Sequence, residues 1–257
     1  MSQKRRTPRD EKHLLIRSSS AGLPGGYEIQ RHRHSWHQLI FAIKGVMTVA
    51  TPRGHWVVPP QSAVWVPAES EHAIRFTGQS ELRTLYLRPS FGKGTAKECS
   101  AMTVSPLLRE LILRTTSLGA LDERRAAEKS MAFLIREELQ QLQIPPLNLP
   151  APWSAPLQEL TKRLAKDDGR PGTPALARGI GLSARTLERR FLAETGMTFF
   201  QWRLHARMLR ALEQILLGEP LKVAAERAGY RGQSAFVAAF KSAFGTSPRR
   251  YASRLAA

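Results

Sequence analysis

The 257-residue sequence contains one cysteine, Cys99, so an internal disulfide framework is excluded, as is any zinc site built from several thiolates. Acidic residues are scarce: 21 Asp+Glu stand against 39 Lys+Arg, leaving a formal net charge of +18. That balance argues against an acid-rich surface and suits a polyanionic partner. No apolar run approaches the roughly 18 residues that a membrane-spanning helix needs, so no membrane partner is expected. The first residues carry charge (Lys4, Arg5, Arg6, Arg9, Asp10, Glu11) where a secretory signal would be apolar. The expected compartment is the cytoplasm.

What the chain does contain is one unit written twice. Ala177-x-x-x-Gly181, Ser183, Phe191, Gly196 and Trp202 are matched by Ala225-x-x-x-Gly229, Gly232, Phe240, Gly245 and Tyr251. The offset is 48 residues up to the first glycine and 49 after it, so one residue has been added inside the turn. In each copy a small Ala permits close helix approach, and a Gly past the helix end supplies positive φ. The helix that follows buries Leu187 and Phe191 in one copy and Phe236 and Phe240 in the other, four apart and so on one face. From Trp153 onward 18 Lys+Arg face 8 Asp+Glu, a net of +10. A paired helix-turn-helix reader of double-stranded DNA is expected.

Upstream the pattern changes. Gln38 to Ile43, Val46 to Ala50, His55 to Val58, Ala63 to Val66, Ala73 to Phe76 and Leu82 to Leu87 are strand-length runs separated by Gly- and Pro-bearing turns. Short strands at close spacing predict an antiparallel sandwich or small barrel. Residues 1–20 read as a basic flexible arm, with Leu14 to Ile16 as an apolar patch able to add an edge strand. The expected effector-binding barrel covers 21–100 and a helical region 101–143. In that region Ser105-Pro106 starts one helix and Leu121 to Leu142 forms a second. These helices either cover the barrel or pair with a second copy in a homodimer. Pro145, Pro146, Pro150 and Pro152 make 144–155 a stiff linker, and 156–257 is the DNA-binding domain.

Gly26-x5-His32-x-His34-x3-Gln38-x6-Gly45 resembles the first cupin motif with Gln in place of the usual Glu, and Pro67-x-Glu69-x2-His72 resembles the second with Glu in place of Gly. Residues two apart on a strand face the same way, so His32 and His34 aim together into the barrel, joined by His72. Three imidazoles and one oxygen donor suit Zn²⁺ or Ni²⁺, although Gln38 removes the anionic ligand. Imidazoles that only hydrogen-bond inside the barrel fit the same pattern. No cofactor is certain. The candidate effector pocket comprises His32, His34, Gln38, Trp65, His72 and Arg83. His37 and His55 are expected on the outside.

Within the reader, Thr173-Pro174 is read as a cap followed by the first helical residue, and Ser183 caps a recognition helix from Ala184 to Thr195. Its outward residues Arg185, Glu188 and Arg189 are base-contact candidates, with Thr186 and Arg190 on phosphate. A spacer helix, Thr198 to Leu217, carries Phe200, Leu204, Met208, Leu212 and Ile215 along one side. Its roughly 20 residues span about 30 Å, close to one turn of duplex. The second recognition helix, Gln233 to Phe244, offers Gln233, Ser234 and Val237 to bases and, with Arg231 just before it, Lys241 to phosphate. The first unit therefore carries most discrimination.

Leu182-Ser183-x-Arg185-Thr186-Leu187-x-Arg189-x-Phe191 and Ala228-Gly229-Tyr230-x3-Ser234-Ala235-Phe236-x3-Phe240, ending Gly245-Thr246-Ser247-Pro248, resemble the AraC/XylS family of bacterial transcription regulators. The resemblance implies an α+β chain: an all-β cupin-type sensor with following helices, then an all-α domain with two helix-turn-helix units. It further implies a small-molecule effector, activator or repressor action, and contact with RNA polymerase if an activator. The run Trp56-x2-Pro59-Pro60-x2-Ala63-Val64-Trp65 is similar to members tied to efflux or catabolic genes. A regulator, not an enzyme, is expected; the alternative is a metal-dependent cupin enzyme fused to a DNA tether.

Overall fold

In the computed structural model the described residues are 12–140, 148–164 and 172–256. Two antiparallel sheets face each other. The strands are β1 (Leu14–Leu23), β2 (Glu28–His32), β3 (His37–Lys44), β4 (Met47–Thr51), β5 (Gly54–Val58), β6 (Ser62–Val66), β7 (His72–Phe76), β8 (Ser80–Leu87) and β9 (Ser100–Thr103). Helix α1 (Pro106–Leu118), strand β10 (Ala120–Asp122), helix α2 (Ala126–Gln140) and strand β11 (Asn148–Pro150) complete the N-terminal half. One sheet runs β10-β1-β8-β3-β6-β9 and the other β11-β5-β4-β7-β2.

Alternation along β3 explains why Gln38 to Ala42 is buried throughout. Ile40 and Ala42 point between the sheets, against Met47, Val49, Val58 and Phe76. Leu39 and Phe41 point the other way, onto Leu108 and Ile112 of α1 and Ile135 of α2. A strand covered on both faces loses its polar alternation. The two helices thus cover the barrel's outer face, and Ser105 caps α1 by accepting from the Leu108 N–H at 3.0 Å.

Three boundaries differ from the sequence reading. The arm does not extend to residue 20: β1 begins at Leu14 and lies between β8 and β10, an inner position. Ser18-Ser19-Ser20 masks this strand by composition, although it pairs residue for residue with β8. Residues 1–11 lie outside the described part. The second helix does not begin at Leu121, because Leu121 pairs with Ile16 and Asp122 with Leu14 in β10. Finally, Asn148–Pro150 is not a free spacer but an edge strand on β5, Leu149 facing His55, a place where proline is tolerated. Pro145 and Pro146 lie outside the described residues.

The C-terminal half is helical: α3 (Ala155–Leu164), α4 (Thr173–Arg178), α5 (Ala184–Thr195), α6 (Phe199–Leu216), α7 (Leu221–Arg227), α8 (Gln233–Phe244) and α9 (Pro248–Ala256). Both turn glycines hold positive φ, +71° at Gly181 and +78° at Gly229. The cap of α4 is Gly172, without a side-chain bond, and Thr173 is already inside the helix. The expected end of α3 at 166–171 lies outside the described residues.

The spacer α6 belongs to two cores. Phe199 and Trp202 pack with Leu187 and Phe191 of the first unit. Met208, Leu209 and Leu212 pack with Phe236 and Phe240 of the second, and this core runs on into the barrel interior. Phe200, expected in the buried stripe, is 70% exposed; Phe199 takes its place. The same helix touches the N-terminal half: Trp202 Nε1 donates to the Pro150 carbonyl at 2.7 Å. Farther along, Thr77 donates to buried Glu213.

Candidate DNA reader and barrel site

On α5 the guanidinium groups of Arg185, Arg189 and Arg190 are exposed, and among the described residues they form no ion pair. Leu187 and Phe191, fully buried, fix the rotation of the helix that presents them. Thr186 is tied into the cap, its N–H bonded to Ser183 Oγ at 3.1 Å and its hydroxyl to the same atom at 2.9 Å. Glu188 departs from its expected role. Its Oε2 accepts from the Phe199 N–H at 3.0 Å, at the N-terminus of α6, where a carboxylate meets the positive end of the helix dipole. It therefore braces the recognition helix against the spacer helix. Replacing Glu188 with Ala should cost about 1 kcal/mol of stability in urea melts, the usual loss of an N-terminal cap. The operator's preferred base at each position should stay the same.

On α8, Gln233 and Ser234 are exposed, as are Arg231 and Lys241. Val237 is half-buried and packs against the second core, leaving little of it for a thymine methyl. The two units thus differ as the sequence suggests: arginines on one helix, amide, hydroxyl and methyls on the other.

In the barrel, His32, His34 and His72 bring one ring nitrogen each within 4.8 Å of one another. His32 Nδ1 lies 2.8 Å from Gln30 O, His34 Nδ1 2.7 Å from Trp36 O and His72 Nδ1 2.9 Å from Ser70 O. A carbonyl only accepts, so each Nδ1 carries a proton, and in the neutral ring Nε2 keeps its lone pair. Buried His72 Nε2 has no hydrogen-bond partner. Burial, with His32 and His34 alongside, pushes the His72 imidazole down to about 4, so it stays neutral at neutral pH. His34 Nε2 faces Gln38 Oε1 at 2.8 Å, and the Gln38 amide also lies 3.3 Å from the Tyr86 hydroxyl. Two lone pairs cannot face each other at that distance. A proton on His34 Nε2, an amide turned end for end so that it donates to His34 and accepts from Tyr86, or a cation held by both atoms would each resolve the contact. Glu69, where the cupin motif prefers glycine, holds φ +62° and donates its N–H to His34 O at 2.9 Å. The backbone keeps glycine's conformation without the glycine.

Two pocket candidates face elsewhere. Trp65 points out of the barrel onto the helices, its indole donating to Ala96 O at 2.8 Å and its ring stacked 5.1 Å from His37. Arg83 shares that outward parity on β8 and donates to Leu82 O at 3.0 Å. His37 and exposed His55 are outside the barrel interior, as expected. The open space is elsewhere too. A cavity of about 780 Å³ lies at the seam between the halves, lined by Arg53, Trp56, Cys99, Leu149, Trp153 and Glu194 among others. None of the six pocket candidates lines it; between the sheets Met47, Val58 and Phe76 pack into the core. No single motif marks this cavity, since its walls come from five distant stretches; Trp153, an exposed aromatic just past the prolines, is the one sequence signal.

Residues 19–142 match the AraC-like ligand binding domain family and 176–254 the helix-turn-helix domain family. Over 227 residues the chain is 32% identical to the HTH-type transcriptional regulator NimR of Escherichia coli (strain K12), covering 87% of this chain and 82% of that protein. The chain belongs to the AraC family of transcription regulators. The family is one of DNA-binding regulators, which favours that reading over a cupin enzyme on a DNA tether. Among solved structures, ToxT from Vibrio cholerae O395 aligns at 10% identity with a TM-score of 0.40, over 94% of this chain and 98% of that one. The C-terminal domain of AraT from Geobacillus stearothermophilus aligns at 30% identity and TM-score 0.37, over 39% of this chain and 86% of that one. Among the described residues no helix is long and apolar enough to cross a membrane.

Proposed function

We propose that this regulator reads promoter DNA with α5 in one major groove and α8 in the next, Arg185 and Arg189 carrying base discrimination and Arg190, Arg231 and Lys241 gripping phosphate. The observation that carries this reading is the row of exposed, unpaired arginines on α5, fixed to a spacer helix whose 18 residues extend about 27 Å. Gln233 and Ser234 anchor the second half-site. A genome-wide binding map tests it: a bipartite motif with two cores about one helical turn apart is expected. Protein that ignores every promoter fragment at low salt would end the reading.

The barrel's donor set fits a divalent ion of the zinc or nickel kind, held by the Nε2 atoms of His32, His34 and His72 with Gln38 Oε1. The orphaned His72 Nε2, aimed at the same place as the other two rings, supports this. A bound ion would supply a neutral-ligand Lewis-acid centre; the chain's part is to tie β2, β3 and β7 together at the barrel mouth. Zinc at a hundredfold excess over its dissociation constant should stabilise the protein by about 2.7 kcal/mol. His32→Ala, a half-buried position, should remove most of that gain in a thermal melt. An equal gain in wild type and variant would reject the site.

A further inference from the structure

The seam cavity, about 780 Å³, is of a size that takes a small organic molecule. Its walls come from the β4–β5 turn and Trp56, from Ser70 and Glu71, from residues 97–99, from β11 with Trp153, and from Glu194 at the end of α5. The lining combines apolar surface with charges that are mostly answered. Arg53 pairs with Glu98, and Glu71 lies 3.3 Å from Arg31. Glu194 accepts from the Ser154 N–H at 2.8 Å. Among the described residues Lys97 forms no ion pair, and Glu194 is answered by that backbone N–H and by no cation. Trp153, 74% exposed, stands at the rim with its ring uncovered. A molecule entering here meets Trp56, Leu149 and Pro150 and, at Lys97, a positive charge that no carboxylate answers.

We infer that this cavity, rather than the barrel interior, is the effector site, and that it takes a flat apolar molecule bearing one anionic group, its body against Trp56 and Trp153 and its charge at Lys97. The inference rests on the regulator reading above and deepens it. An occupant touches β11 and the Glu194–Ser154 bond together, and so contacts both the strand leading into the reader and the first recognition helix. A ligand shifts a conformational balance only through contacts that differ between the states, and contact with both halves at once is where such a difference would arise.

Cys99, the sole cysteine, lines the cavity and serves as an internal reporter; burial pushes its thiol up to about 11, so labelling is slow and easily timed. The full-length protein is titrated with anilinonaphthalene sulfonate, an aromatic anion, and with uncharged N-phenylnaphthylamine. Lys97→Gln should weaken the anion roughly three- to fivefold, the scale of an exposed ion pair, and leave the neutral probe unchanged. Trp153→Ala should weaken both, and saturating anion should slow maleimide labelling of Cys99 several-fold. Absence of anion binding, or equal binding by all three proteins with Cys99 labelling unaltered, overturns the inference. Promoter binding is measured on the same preparations without probe: its presence there confines such a failure to the effector site, and its absence in wild type instead removes the regulator reading.

Discussion

Arg189→Ala is expected to weaken binding to the cognate operator about 5- to 150-fold and to erase preference at one base pair. The range follows from the roughly 1–3 kcal/mol of discrimination in a bidentate arginine–guanine contact. Arg189 is exposed, unpaired among the described residues, and two positions from buried Leu187, so the variant loses a reader without disturbing the core. Arg190→Ala makes the contrast. A phosphate contact carries no sequence information, so all fragments should weaken together and the slope of log K against log salt should shrink by about 0.9. Competition binding across a salt series separates the two. If Arg189→Ala keeps its sequence preference while Gln233→Ala abolishes it, the division of labour between the units is the reverse of the one argued above.

The reader was legible because its constraints are local. Gly181, Gly196, Gly229 and Gly245 mark positive φ, Ser183 marks a cap, and the Leu187–Phe191 and Phe236–Phe240 pairs mark buried faces; α5 and α8 fall where these signals put them. Glu188 escaped because its partner is a backbone N–H eleven residues on, across a turn, and a side chain on an exposed face reads identically whether it meets a base or a helix end. The phase of α6 failed for a related reason. Phe199 and Phe200 are adjacent and equally apolar, and only contact with Phe191 and Trp202 selects the first.

In the barrel the metal-type spacing anticipated that His32, His34 and His72 come together, although only His32 and His72 lie on strands, where a period of two determines which way residues point. The same rule needs a register that the sequence does not contain. Trp65 and Arg83 face outward because of where β6 and β8 lie against β3, a pairing between distant stretches. Strand β1 was hidden by three serines, and β10 by a leucine run that continues the helical rhythm of its neighbours. The seam cavity had no local trace at all, being made from segments up to about 140 residues apart.

The largest expected loss of stability is at Gly45. Its φ is +83°, and a Cβ there would stand 2.2 Å from Ser80 Oγ, 2.6 Å from Gln79 O and 2.7 Å from Ser80 Cα. The hydroxyl can rotate away, but the two backbone atoms cannot without moving the β7–β8 turn. Gly45→Ala thus combines roughly 1–2 kcal/mol for the left-handed conformation with about 1–3 kcal/mol for overpacking. Gly26 separates the two contributions: its φ is +80°, yet nothing lies within 4 Å of an added Cβ, so Gly26→Ala should cost only the conformational part. Urea unfolding of both variants gives the comparison, and equal losses would show that the close approach at Gly45 contributes nothing. The turn in question also holds Thr77, bonded to Glu213, and Gly78, against which Leu217 packs. Backbone displaced at Gln79 and Ser80 is therefore passed to the C-terminal end of α6, the helix that sets the distance between the two recognition helices. Gly45→Ala should weaken operator binding as well as folding, whereas Gly26→Ala, at the far end of the same motif, should leave operator affinity within about twofold of wild type once the folded fraction is matched.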